Sequence, residues 1–156
     1  MTDVDVRRAT PDDAAALAAA YRSAYRENRE LGFPAKAESA DERTVSDWIA
    51  EHRVLVAVDG GEIVGGVRLE ETEPNRVKLS RLGVREDRKG RGIGRSLLDR
   101  AEGWARERGY GTIWLTTPGE HPYLPDLYRS RGYEETGEYP LEYREYDEIV
   151  LEKRLE

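Results

Sequence analysis

Residues 87–98 constrain this chain more than any other stretch. Gly90, Gly92 and Gly94 fall between two differently patterned segments. Residues 77–84 before them alternate like a β-strand. After them, Ile93, Leu97, Leu98, Ala101, Trp104 and Ala105 recur every three or four residues, as on the buried face of a helix. A strand that turns through glycines into a helix exposes the first N–H groups of that helix. The glycines let the backbone turn toward a ligand without a Cβ clash, and the helix dipole adds positive potential. Such a turn is a site for phosphate groups, and Arg88, Arg91 and Arg95 around it add attraction at longer range.

Two familiar phosphate loops do not fit. The segment lacks both the spacing and the lysine of Gly-x-x-x-x-Gly-Lys-Ser/Thr. For Gly-x-Gly-x-x-Gly the third glycine falls too early, and the loop lies past the middle of the chain rather than in a first β-α unit.

Around the loop, residues 4–9 read as a first strand. Thr10, Pro11 and Asp13 mark a helix start, and that helix carries Ala16, Leu17, Ala20, Tyr21 and Ala24 on one side. A second helix is expected over residues 41–51, with Val45, Trp48 and Ile49 inward. Strands at 53–59 and 62–70 join at Gly60-Gly61, a two-residue hairpin turn. A buried strand at 112–116, a proline-punctuated loop at 118–125, a short helix at 126–131 and strands at 133–139 and 147–155 complete the chain. Trp48, Trp104 and Trp114 are expected in the core. The order β-α-α-β-β-β-α-β-α-β-β predicts an α/β chain of the α+β kind, with a mixed central sheet rather than a doubly wound parallel one.

The formal charge of −7, from 25 basic and 32 acidic residues, argues against a nucleic-acid partner. With no cysteine, disulfides, cysteine nucleophiles and thiolate metal sites are excluded. No apolar stretch reaches membrane-spanning length and no signal-peptide core is present, so a cytoplasmic location without membrane partners is expected. The length of 156 residues suits one domain over 1–156.

Two motifs carry a family resemblance. Lys89-Gly90-Arg91-Gly92-Ile93-Gly94, preceded by Arg81-Leu82-Gly83-Val84, resembles motif A of the GNAT superfamily of N-acetyltransferases. Leu127-Tyr128, followed by Gly132-Tyr133, resembles its motif B, and the predicted element order is the family's own. The resemblance implies acetyl-CoA as cosubstrate, no metal, and transfer of an acetyl group to a primary amine on a small molecule or peptide. It places the coenzyme pyrophosphate on Lys89, Gly90, Arg91, Gly92, Ile93, Gly94 and Arg95, and the pantetheine arm on Leu82, Gly83 and Val84. It also makes Tyr128 the general acid for the departing thiolate. A non-catalytic acyl-CoA-binding module on the same scaffold is the alternative, and the resemblance further implies a homodimer formed through the C-terminal strands.

Lys89 departs from the family's Arg or Gln, and Lys78 stands where many relatives carry a glutamate base. Glu70, Glu71, Glu27 and Glu30 are the remaining base candidates. His121 occupies a position where relatives often hold a coenzyme-contacting Asn, whereas His52 at a helix end reads as structural. Tyr21, Tyr25, Phe33, Tyr139, Tyr143 and Tyr146 are candidates for the acceptor entrance. The acidic balance tilts the expectation toward a cationic acceptor.

Overall fold

The computed structural model describes residues 4–33, 36–139 and 147–155. Seven strands form one mixed sheet in the order β1-β2-β3-β4-β5-β7-β6. They are β1 (Val4–Arg8), β2 (Arg53–Asp59), β3 (Glu62–Glu73), β4 (Arg76–Val84), β5 (Thr112–Pro118), β6 (Glu134–Tyr139) and β7 (Glu148–Arg154). The helices are α1 (Ala14–Glu30), α2 (Glu42–Glu51), α3 (Ile93–Glu107) and α4 (Leu124–Ser130). The predicted order is correct. Strands β3 and β5 run longer than the alternation indicated, because their ends continue as partners of β4 and β7.

Each face of the sheet has its own core. Leu55, Val67, Leu79, Ile113 and Leu115 pack with Leu97, Leu98 and Ala101 of α3. On the opposite face Val54 and Val56 meet Leu17 and Tyr21 of α1 and Val45 and Ile49 of α2. Strand β2 is therefore buried on both sides, which accounts for its run of four buried residues. Ala16 is exposed, so the inward stripe of α1 runs through Ala14, Leu17, Ala18, Tyr21 and Ala24 instead.

The three tryptophans lie at the margins of the cores rather than within them, with Trp48 and Trp104 packed against the buried clusters. Each is half-buried and carries cations on its ring: Arg68 and Arg81 on Trp48, Arg53 and Arg108 on Trp104, Arg76 and Lys78 on Trp114. An indole at the edge of a sheet or helix buries its body while its face receives a guanidinium. Apolar character alone did not reveal this.

Close approach of α1 to the sheet depends on missing side chains. A Cβ at Gly66 would lie 2.6 Å from Leu17 Cδ1, and one at Gly83 would lie 3.0 Å from both Ala24 Cβ and Tyr25 Cε2. Tyr25 is thereby brought down to β4, where its hydroxyl donates to the Leu82 carbonyl at 2.6 Å.

Candidate active site

Between β4 and β5 the sheet divides. The two strands are parallel and pair only at Arg76–Thr112, Val77–Ile113 and Lys78–Trp114. Beyond that point β5 stays with β7 as far as Pro118, and β4 stays with β3 as far as Val84. A cleft of about 720 Å³ opens between them, lined by the later residues of both strands, the start of α3, α4 and the last turns of α1.

The open edge of β4 offers backbone groups. Arg85 N–H donates back to Val64 C=O on β3 at 2.7 Å. By the alternation of a strand, the N–H and C=O of Val84 then face the cleft. Leu82 and Gly83 line the same wall, although the Leu82 carbonyl is already taken by Tyr25. A bulge separates the pairs Gly66–Gly83 and Arg68–Ser80, and within it Arg81 has φ +54°, a left-handed conformation. The extra residue turns the strand and re-aims its side chains.

At the mouth, Gly90 and Gly92 adopt φ +81° and +80°, conformations that only glycine takes without strain. Gly92 is the N-cap of α3, and no side chain caps that helix. The first intrahelical bond is Ser96 N–H to Gly92 C=O at 3.1 Å, which leaves the N–H groups of Ile93, Gly94 and Arg95 without helical acceptors. Lys89, Gly90, Gly92, Ile93 and Gly94 line the cleft.

The basic residues are arranged differently from the sequence expectation. Arg88 pairs with Asp59 at 3.2 Å and Asp87 at 2.7 Å. Lys89 donates to the Ala24 carbonyl at 3.2 Å and lies 3.6 Å from Glu27, so it ties the loop to α1. Arg91 and Arg95 are exposed beside the cleft rather than in its wall.

Tyr128 reaches the cleft from α4, and the chain end of that helix explains how. Tyr133 N–H donates to Tyr128 C=O at 3.1 Å, and Gly132 N–H to Arg129 C=O at 3.0 Å, with Gly132 at φ +95°. This is a Schellman ending, in which the residue after the left-handed glycine packs on the third residue from the helix end. Here the two are Tyr133 and Tyr128, with ring centroids 5.7 Å apart. The spacing Tyr128-x-x-x-Gly132-Tyr133 is thus a helix stop that fixes a tyrosine. Tyr128 is buried, its hydroxyl has no hydrogen-bond partner among the described residues, and burial pushes the phenol well above its ordinary 10.

His121 is not among the residues that line the cleft. Its Nδ1 accepts the N–H groups of Tyr123 (3.3 Å) and Leu124 (3.2 Å), so Nε2 carries the proton and donates to Asn28 Oδ1 at 3.3 Å. The ring caps the start of α4, and burial lowers its pKa below 6.5. His52, as expected, ends α2, 3.6 Å from Glu70.

The base candidates separate. Glu27 lines the cleft but accepts from the Tyr123 hydroxyl and pairs with Lys89. Glu30 and Glu71 are exposed, and Glu70 is engaged by His52 and Arg68. Glu148, which sequence reasoning missed, lines the cleft and accepts from Thr116 Oγ1 at 3.1 Å. Its only signal was a position opening the last strand. Tyr25 and Phe33 line the cleft, whereas Tyr21 is core. Tyr139 closes β6, and Tyr143 and Tyr146 lie outside the described residues.

Similarity to known proteins defines the class, an acyltransferase. Residues 17–133 match the Acetyltransferase (GNAT) family, and the chain belongs to that family. It is 29% identical over 143 residues to the S-alkylcysteine N-acetyltransferase of Bacillus subtilis (strain 168), covering 86% of this chain and 80% of that protein. It is 34% identical over 127 residues to the mycothiol acetyltransferase of Propionibacterium freudenreichii, covering 78% of this chain but only 40% of the relative. Among solved structures, the PaiA N-acetyltransferase of Thermoplasma acidophilum in complex with coenzyme A superposes with a TM-score of 0.83 at 16% identity, over 97% of this chain and 99% of that one. The ribosomal-protein-alanine N-acetyltransferase of Brucella melitensis has a TM-score of 0.80 at 27% identity, over 97% and 99%. Acetyl-CoA is accordingly the acetyl donor.

Proposed function

We propose that this chain moves the acetyl group of acetyl-CoA to a primary amine by direct attack in the cleft between β4 and β5, with Tyr128 as general acid. The observation that carries the reading is a buried, unpartnered phenol held in the cleft wall by the ending of α4. In this assignment the pyrophosphate rests on the loop from Lys89 to Arg95, chiefly on the backbone N–H groups at the start of α3. The pantetheine arm lies along Leu82, Gly83 and Val84 as an added strand, with Val84 supplying the open edge.

The neutral amine attacks the thioester carbon and the carbon–sulfur bond breaks. The thiolate takes the phenolic proton of Tyr128, while the proton of the attacking nitrogen leaves to a base or to water. Burial keeps Tyr128 protonated across the working range, which a proton donor requires. Glu148 is the carboxylate of the cleft wall best placed to receive the amine proton.

The test is thiol release from acetyl-CoA with a panel of amines. Tyr128→Phe is expected to lower kcat by about 10²-fold, the lower end of general-acid effects, while coenzyme A still protects the variant against heat. The wild type should show no alkaline loss of kcat between about pH 8 and 10, because a phenol raised above its ordinary 10 does not titrate there. Wild-type kcat in the phenylalanine variant would remove Tyr128 from the proton path.

A further inference from the structure

The half of the cleft away from the glycine loop gathers three basic side chains, although the chain carries a formal −7. Arg68 on β3 pairs in register with Ser80 on β4, and Lys78 lies two residues further along the same strand. The bulge adds Arg81 to this group, and all three cations line the cleft. The guanidinium carbons of Arg68 and Arg81 lie 5.0 and 5.3 Å from the centre of the one Trp48 ring. Lys78 sits 5.1 Å from the Trp114 ring, at the point where the sheet divides.

Among the described residues, two carboxylates face this group. Glu70 is 4.0 Å from Arg68 but is shared with His52, and Glu148 accepts from Thr116. Of the two guanidiniums on Trp48, Arg68 has Glu70 at 4.0 Å, and Arg81 makes no ion pair among the described residues. Burial first, and the charge of Arg81 after it, lower Arg68, and the same influences lower Lys78 against the opposing pull of Glu70 and Glu148. Arg81 Nε is buried with no hydrogen-bond partner among the described residues, and its backbone is left-handed without being glycine. A guanidinium stacked on an indole, half out of water and incompletely bonded, is prepared to receive an anion.

Resting on the acetyl-transfer reading above, we propose that the acceptor is an amine that itself carries a negative group, a carboxylate or phosphonate as in an α-amino acid, seated on Arg68 and Arg81 with Lys78 beside them. Glu148 then stands on the ammonium side of a zwitterion. The overall acidity of the chain pointed to a cationic acceptor. The local charge of the cleft reverses that expectation, because a ligand responds to the potential of the pocket it enters.

The experiment compares matched acceptors that differ only in the anionic group. Leucine, leucinamide and isopentylamine form one set; phenylalanine, phenylalaninamide and phenethylamine a second; alanine and its aminophosphonate analogue separate the two anion sources. Thiol release from acetyl-CoA is the readout. The proposal expects kcat/KM at least tenfold higher for the anionic member of a set, carried mainly in KM. In Arg68→Gln and Arg81→Gln that preference should shrink at least fivefold, with both variants still protected from heat by coenzyme A. Amides or plain amines turned over as well as the acids would overturn the proposal and leave acetyl transfer standing, as would variants that keep the preference. Thiol release from no acceptor in any set would instead remove acetyl transfer to small amines, and the proposal with it. The wild-type comparison stands alone if a variant fails to fold.

Discussion

His121 shows how a residue suggestive of chemistry can be occupied by structure. Its ring receives two backbone N–H groups at the start of α4 and gives its own proton to Asn28, so the neutral form is the one the fold uses. Because burial holds the folded pKa below 6.5, the unfolded chain binds more protons than the folded one as pH falls through 6.5. The stability that the neutral ring contributes is complete above 6.5 and is lost as pH drops toward the depressed folded value. His121→Ala removes both the acceptor at the start of α4 and the titration. Relative to wild type, urea midpoints for this variant should lie lower at pH 7.5 by the equivalent of about 1 kcal/mol, the usual worth of a cap, and the gap should narrow at pH 5.5. A gap that stays constant or widens would place the titration elsewhere. Sequence alone offered two readings of this histidine, because nothing local announces that Asn28, 93 residues away, will be its partner.

At the scale of elements, the position of Tyr128 depends on a junction of α3, α4 and β7. Glu102 of α3 is almost fully buried, bonded to Lys153 Nζ at 2.7 Å and to the Tyr133 hydroxyl at 3.1 Å, with Arg131 at 3.7 Å. Tyr133 in turn packs on Tyr128. Removing one partner of such a group leaves opposite charge without compensation. Glu102→Ala should therefore cost about 3 kcal/mol in urea unfolding, and the double change to Glu102→Met with Lys153→Met should recover much of that loss. If the single variant is as stable as wild type, the junction does not hold α4. The motif Tyr128-x-x-x-Gly132-Tyr133 was legible because a helix stop is a local event, governed by one glycine and the residue after it. Glu102 was not legible, since an acid among apolar helix positions acquires its meaning only when β7 brings Lys153 beneath it. The same reason hid the cluster of Arg68, Arg81 and Trp48, which requires the β3–β4 register and a bulge that no alternation pattern encodes.

For the whole molecule, the decisive feature is the weak seam in the sheet. Strands β1 to β4 form one side and β5, β7 and β6 the other, joined through three register pairs and the packing of α3. The order of elements predicted a mixed sheet, but where parallel neighbours stop pairing is set by what packs above and below them. A ligand that reaches only the glycine loop touches the β4 side and the start of α3. One that also runs between the strands bonds to both halves and is absent from the unfolded chain, so it closes the seam. Stabilisation by a ligand held at one hundred times its Kd is about 2.7 kcal/mol, which for a chain of this size corresponds to a rise in Tm of roughly 5–10 °C. Coenzyme A at saturating concentration should reach that range. Adenosine 3′,5′-bisphosphate at the same concentration, lacking the arm, should reach less than half of it, and amide exchange at Thr116, whose N–H faces the cleft by the alternation of β5, should slow with coenzyme A alone. Equal protection by the two ligands would show that the loop carries the binding and that the parted strands contribute nothing to it.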